Sequence, residues 1–102
     1  MNSDDLVALS RARFDYQTQK KLLREKYEAK MLFAYNGGMF RAGPELLGLL
    51  QAIPVTDDVV ILDLYQNPIK ITPQEIQFLA VDRWQEQMNA WHVEYEEMSK
   101  KR

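Results

Sequence analysis

The sequence predicts an α+β fold: a long N-terminal helix, a β-hairpin, a short helix, a second β-hairpin and a long C-terminal helix, with a small antiparallel sheet packed on the helices. Three observations carry this. Residues 4–30 and 74–100 contain no glycine or proline and are rich in good helix formers. Two turn dipeptides, Asn36-Gly37 and Gln66-Asn67, each sit between apolar runs. A strand–turn–strand–proline–helix pattern also recurs 29 positions apart. With Pro44 set on Pro73, Leu47 falls on Ile76, Leu49 on Phe78, Leu50 on Leu79, Phe40 on Ile69 and Arg41 on Lys70. The offset lies in the range over which supersecondary units repeat. The chain therefore reads as one domain over residues 1–102, and the similarity of 32–53 to 61–82 has two readings, a ββα pseudo-repeat from internal duplication or convergent local turn and helix-start grammar.

In chain order, Ser3 followed by Asp4 and Asp5 has the form of a helix N-cap with acids in the first turn, where the helix dipole favours them. Leu9, Ala12, Tyr16, Leu23, Tyr27 and Met31 then recur at helical spacing, with polar Gln19-Lys20 interrupting them. Residues 31–42 admit two readings. Asn36-Gly37 suits a helix C-cap, because both residues tolerate the left-handed conformation. The same dipeptide between apolar runs is a hairpin signal, and residues 32–35 and Met39-Phe40 favour the hairpin.

Pro44 opens the short helix at its first position, and that helix ends before Pro54. Residues 59–65 are rich in apolar and β-branched residues, which predicts a strand. Pro68 begins the next strand at an edge, since it has no N–H for a ladder. Thr72-Pro73-Gln74-Glu75 fits a capping box, with Ile71 and Ile76 placed as a hydrophobic staple. The final helix runs from Pro73 to about Lys100, with Lys100, Lys101 and Arg102 suited to its negative end.

Composition excludes several function classes. The chain has 102 residues, 46% of them hydrophobic, which excludes wholesale disorder. A net charge of −2 argues against a whole-domain polyanion binder. With no cysteine there is no disulfide framework, thiolate metal site or thiol nucleophile. No secretory signal or membrane-length apolar run is visible, so a soluble cytoplasmic protein is expected.

Two features concern assembly. Each long helix, at about 27 residues and roughly 1.5 Å per residue, would extend on the order of 40 Å. That exceeds the roughly 33 Å diameter of a compact domain of this size. The last helix also carries Val81, Trp84, Met88, Trp91, Tyr95 and Met98 at alternating three- and four-residue spacing, a continuous seam for a partner helix. The seam has two readings: burial under the first helix of the same chain, or partial burial against a second subunit, whose cores favour Trp, Tyr and Met.

Charge adds a constraint. Residues 11–30 hold Arg11, Arg13, Lys20, Lys21, Arg24, Lys26 and Lys30 against Asp15, Glu25 and Glu28, a net of +4. Residues 73–98 hold Glu75, Asp82, Glu86, Glu94, Glu96 and Glu97 against Arg83, a net of −5. Opposite blocks favour pairing of unlike helices, within one chain or between two.

Chemical motifs are sparse. Arg11, Arg13, Lys20, Lys21 and Arg24, on a basic helix with Tyr16 and Tyr27 interleaved, are candidate nucleic-acid contacts, weighed against a solvated, charge-paired face. His92 with Glu96 supplies two possible metal ligands, too few for a site. Asp57, Asp58 and Asp63 lack calcium-loop spacing, and Gly37-Gly38 lacks the lysine of a phosphate cradle. No serine lies in a nucleophile elbow. No catalytic residue, cofactor, metal or small-molecule substrate is expected.

The segments Phe33-Ala34-Tyr35-Asn36-Gly37-Gly38-Met39-Phe40 and Leu62-Asp63-Leu64-Tyr65-Gln66-Asn67-Pro68-Ile69 resemble those in small proteins of large tailed bacteriophages. The resemblance covers about a third of the chain and implies a virion or assembly factor, in the host cytoplasm or the particle. The expected function is a non-enzymatic structural or assembly protein that partners itself or another assembly protein. The alternative is a small nucleic-acid-binding accessory factor using the basic first helix.

Overall fold

The computed structural model describes residues 3–54 and 57–100, and its architecture is the α+β order expected. Helix α1 (Ser3–Lys30) leads into strands β1 (Leu32–Tyr35) and β2 (Gly38–Arg41). Helix α2 (Pro44–Ala52), strands β3 (Val59–Leu62) and β4 (Pro68–Ile71), and helix α3 (Pro73–Lys100) follow. Lys101, Arg102 and the side chain of Ser3, for which capping roles were expected, lie outside the described residues.

Residues 31–42 form the hairpin. Asn36 and Gly37 have φ of 48° and 81°, the paired positive values of a type I′ turn, so the chain reverses there. The register pairs Phe33 with Phe40 and Tyr35 with Gly38, and these four residues are buried on the inner face. In the second hairpin Val59 pairs with Ile71 and Ile61 with Ile69 on the inner face.

Two details differ from the sequence reading. The hairpins are separate two-stranded sheets rather than one sheet. They pack against each other, joined by the Leu64 amide donating to the Met39 carbonyl at 2.7 Å and the Asn36 side-chain amide donating to the Lys70 carbonyl at 3.0 Å. Strand β3 also stops at Leu62 instead of Tyr65. The Asp63 carboxylate draws the amides of Tyr65 and Asn67 to itself, each at 2.9 Å, and folds residues 63–67 into a turn.

The capping box at α3 takes a relayed form. The Thr72 amide donates to the Tyr35 hydroxyl at 3.2 Å, and that hydroxyl donates to Glu75 Oε2 at 2.8 Å. The Thr72 hydroxyl instead donates to Asp58 Oδ1 at 3.0 Å. A residue of the first hairpin thus completes the helix start of the second unit. Ile71 and Ile76, the staple, are both fully buried.

Both α2 and α3 begin with proline, but their buried positions align one residue off the 29-residue offset. Leu46 and Leu50 are buried on α2, and Ile76 and Ala80 on α3, so Leu79, the counterpart of Leu50, is exposed. The core gathers at the hairpin end, from Met31, Phe33, Phe40, Ala42, Leu50, Ile61 and their neighbours. The molecule is a head with a helical stalk. Its extents are 67 × 24 × 22 Å and its radius of gyration is 19.3 Å, against roughly 13 Å for a compact chain of about 100 residues.

Gly38 sets how closely the hairpins approach. A Cβ there would lie 2.7 Å from Ile69 Cγ1 and 3.2 Å from Asp63 Cβ. Gly38→Ala should therefore destabilise by about 1–3 kcal/mol, the usual cost of overpacking. Gly48, exposed within α2 with open space around its Cα, should behave oppositely: Gly48→Ala is expected to stabilise by about 0.5–1 kcal/mol. Denaturant unfolding of both variants checks the pair, and equal effects would refute the close-approach account.

Candidate functional site

The stalk is built by antiparallel pairing of the second half of α1 with α3. Tyr27, fully buried, stacks on Trp91 with ring centroids 5.8 Å apart and planes 6° from parallel. Beside that stack, Lys26 Nζ lies 2.7 Å from Glu94 Oε1. Arg83 donates to the Lys30 carbonyl at 3.3 Å, supplying a cation at the negative end of α1. The opposite charge blocks of the two helices thus meet within one chain.

The ion pair holds both partners charged. The hydrogen bond from Lys26 lowers the Glu94 carboxyl below its ordinary value, and the same bond raises Lys26 above its own. Burial against Trp91, with Glu94 nearby, pushes the Tyr27 phenol up.

The expected seam residues are distributed as follows. Trp84 turns toward the head, near the start of α2, and packs with Met88 against the core. Trp91 and Met98 are half-buried along α1, whereas Val81 and Tyr95 are each 39% exposed. Buried Ala80 and half-buried Glu94 occupy the stripe positions beside them. A small side chain admits close approach at Ala80, and Glu94 reaches the facing Lys26.

The stalk is asymmetric across its width. Lys26–Glu94 bridges the helices along one edge, within a shallow opening that Leu22, Leu23 and Met98 also line. Along the other runs an open groove of about 580 Å³, floored by Leu23, Met88, Trp91 and Tyr95 and rimmed by Gln17, Lys20, Lys21, Arg24 and His92. Three of the five candidate nucleic-acid contacts, Lys20, Lys21 and Arg24, therefore stand on the groove rim. Arg11 and Arg13 lie further toward the helix start, and Arg24 sits 3.8 Å from Glu28.

His92 pairs with Glu96 at 3.4 Å on the exposed surface. No group of three or more potential metal ligands occurs among the described residues. No helix among them is long and apolar enough to cross a membrane. An apolar aromatic floor with a cationic rim is suited to receiving a helix that has apolar and acidic side chains.

The residue the sequence reading passed over is Asp63. It is 5% exposed, and its carboxylate accepts the amides of Tyr65 and Asn67 on Oδ1 and of Met39 on Oδ2, the last at 3.1 Å. The bond from Asn67 leads the effects that hold its carboxyl below the usual value, against the opposing effect of burial. An Asp followed by turn residues is the signature of an Asx-turn, and that signal was present. The third bond, to the other hairpin, has no local trace. This carboxylate is structural, since it is fully engaged with backbone donors.

Comparison with protein families, with curated proteins and with solved structures returned no match.

A depressed carboxyl contributes stability that is complete above the unfolded-state value near pH 4 and is lost as pH falls through the lower folded-state value. Asp63→Asn should lower the thermal midpoint at pH 7, and its gap from the parent should narrow as pH drops below about 4. Thermal melts from pH 7 to pH 2 check this; a gap constant with pH would refute the assigned role.

Proposed function

We propose that the chain is a non-enzymatic assembly protein that works as a homo-oligomer, associating through its α1–α3 stalk. The observation that carries this reading is the first half of α1. Among the described residues, Ala12, Arg13, Asp15 and Tyr16 share a surface with Met98 near the end of α3, and residues 4–11 lie beyond them toward the tip of α1. Along this part of the helix Leu6, Val7, Leu9 and Phe14 are all at least half exposed, and Phe14 is 70% exposed. Contiguous apolar surface of this kind marks an interaction site. The groove beside Trp91 and Tyr95 offers a second apolar surface on the same stalk.

The resemblance of the two turn segments to small bacteriophage proteins supplies the biological setting, a phage-encoded structural or assembly role in the host cytoplasm or the particle. A second reading draws on the rim cations. Lys20, Lys21 and Arg24 align along one face and offer a nucleic-acid contact. An electrophoretic shift that weakens steeply with added salt would favour that reading.

Light scattering at high micromolar concentration tests the main one. The expected molar mass is a whole multiple, two or more, of the 12.0 kDa chain. A mass of one chain would overturn it. Trp91→Asp removes both the Tyr27 stack and part of the groove floor, and it should lower the oligomeric state while most of the helical circular dichroism remains.

A further inference from the structure

We propose that residues 3–15 of α1 seat in the α1–α3 groove of a second copy, the two α1 helices running antiparallel about a two-fold axis at Phe14. This rests on the self-association proposed above and specifies its geometry. The segment 3–15 is 13 residues long, or about 20 Å of helix. Its Leu6, Val7 and Phe14 side chains are at least half exposed. The groove has an apolar floor and lies on α1 at residues 17–24. Residues 4–11 and 17–24 are equidistant from Phe14. An antiparallel pair centred there brings residues 4–11 of each copy onto the other copy's groove, and one two-fold axis covers both surfaces twice.

Facing is consistent with this. Val7, Ser10, Phe14, Gln17, Lys21 and Arg24 follow one another at intervals of three and four, which puts them along one side of α1. Leu6, Val7, Ser10 and Phe14 do line a common surface. Gln17, Lys21 and Arg24 line the groove on that same side.

Charge selects the orientation. Residues 4–11 carry Asp4 and Asp5 against Arg11, a net of −1, whereas residues 17–24 carry Lys20, Lys21 and Arg24 and no acid, a net of +3. Antiparallel pairing lays the acidic stretch of each copy on the basic rim of the other, with Asp4 opposite Arg24 and Val7 opposite Lys21. Parallel pairing would set acid on acid and base on base, which is unfavourable. Phe14, on the axis, packs against Phe14 of the second copy.

The chain has no cysteine, so introduced thiols report the geometry cleanly. Under mild oxidation, Phe14→Cys should form a disulfide-linked dimer. A mixture of Val7→Cys and Lys21→Cys should cross-link, while Val7→Cys alone should not. Phe14→Glu, at an exposed position, should leave the helical signal unchanged and weaken dimerisation at least tenfold. Self-linking of Val7→Cys would indicate a parallel pair and overturn the proposal. A dimeric mass without the Val7–Lys21 cross-link would overturn this geometry and leave self-association standing. A monomer at every concentration would overturn both.

Discussion

The carboxylate of Asp63 is the constraint on which the head depends. A two-stranded hairpin is marginal alone in water, and this molecule has two that share no ladder. Asp63 joins them by accepting amides from its own turn and from Met39 of the other hairpin. Separating the hairpins would leave a buried charge short of a donor, which costs far more than an ordinary exposed contact. Gly38 is the steric counterpart, since its missing side chain leaves room for Ile69 and for Asp63 itself. Tyr35 then ties this assembly to the start of α3 through its hydroxyl. Two polar side chains and one absent methyl fix the relation of four strands to a helix.

From that base the stalk follows with fewer constraints. Tyr27 on Trp91 and Lys26 on Glu94 set the pairing of α1 with α3, and both lie in the half of α1 nearest the head. Lys26 and Lys30 also approach the Tyr27 ring at 5.3 and 5.2 Å, so cations flank the stack. Beyond Tyr16, α1 continues with exposed apolar residues on several sides, which explains its weak amphipathic character. Such a helix is not optimised for a single face against its own chain.

The parts of this fold that were legible in the sequence are those governed by local chemistry. The Asn36-Gly37 turn, the proline helix starts, the Ile71–Ile76 staple and both long helices depend on neighbours within a few residues. The strand ending at Leu62 was misjudged because apolar Leu64 and Tyr65 continue the pattern, while the opposing cause, the Asp63 carboxylate, acts through backbone amides. The Tyr35 relay spans 37 residues to Thr72 and leaves no periodic trace. At the candidate site, spacing identified Trp84, Met88, Trp91 and Met98 as a seam. It could not show that Lys26–Glu94 would bridge one edge while Lys20, Lys21 and Arg24 rim the other, because that depends on how far α3 is rotated against α1. The same rotation places Ala80 and Glu94 inward where Val81 and Tyr95 were expected.

The long axis of the molecule also orders its exchange behaviour. Protection of backbone amides reflects the cheapest opening that exposes them. The amides of Met39, Tyr65 and Asn67, bound to Asp63 in the head, open only when the hairpins part. In an isolated chain, the amides near the tip of α1 lie furthest from the head and open by fraying from that end. A single chain would therefore show a monotonic gradient of deuterium uptake from the tip of α1 to the head. A protease cutting after Arg11 or Arg13 would trim the molecule there without unfolding the head.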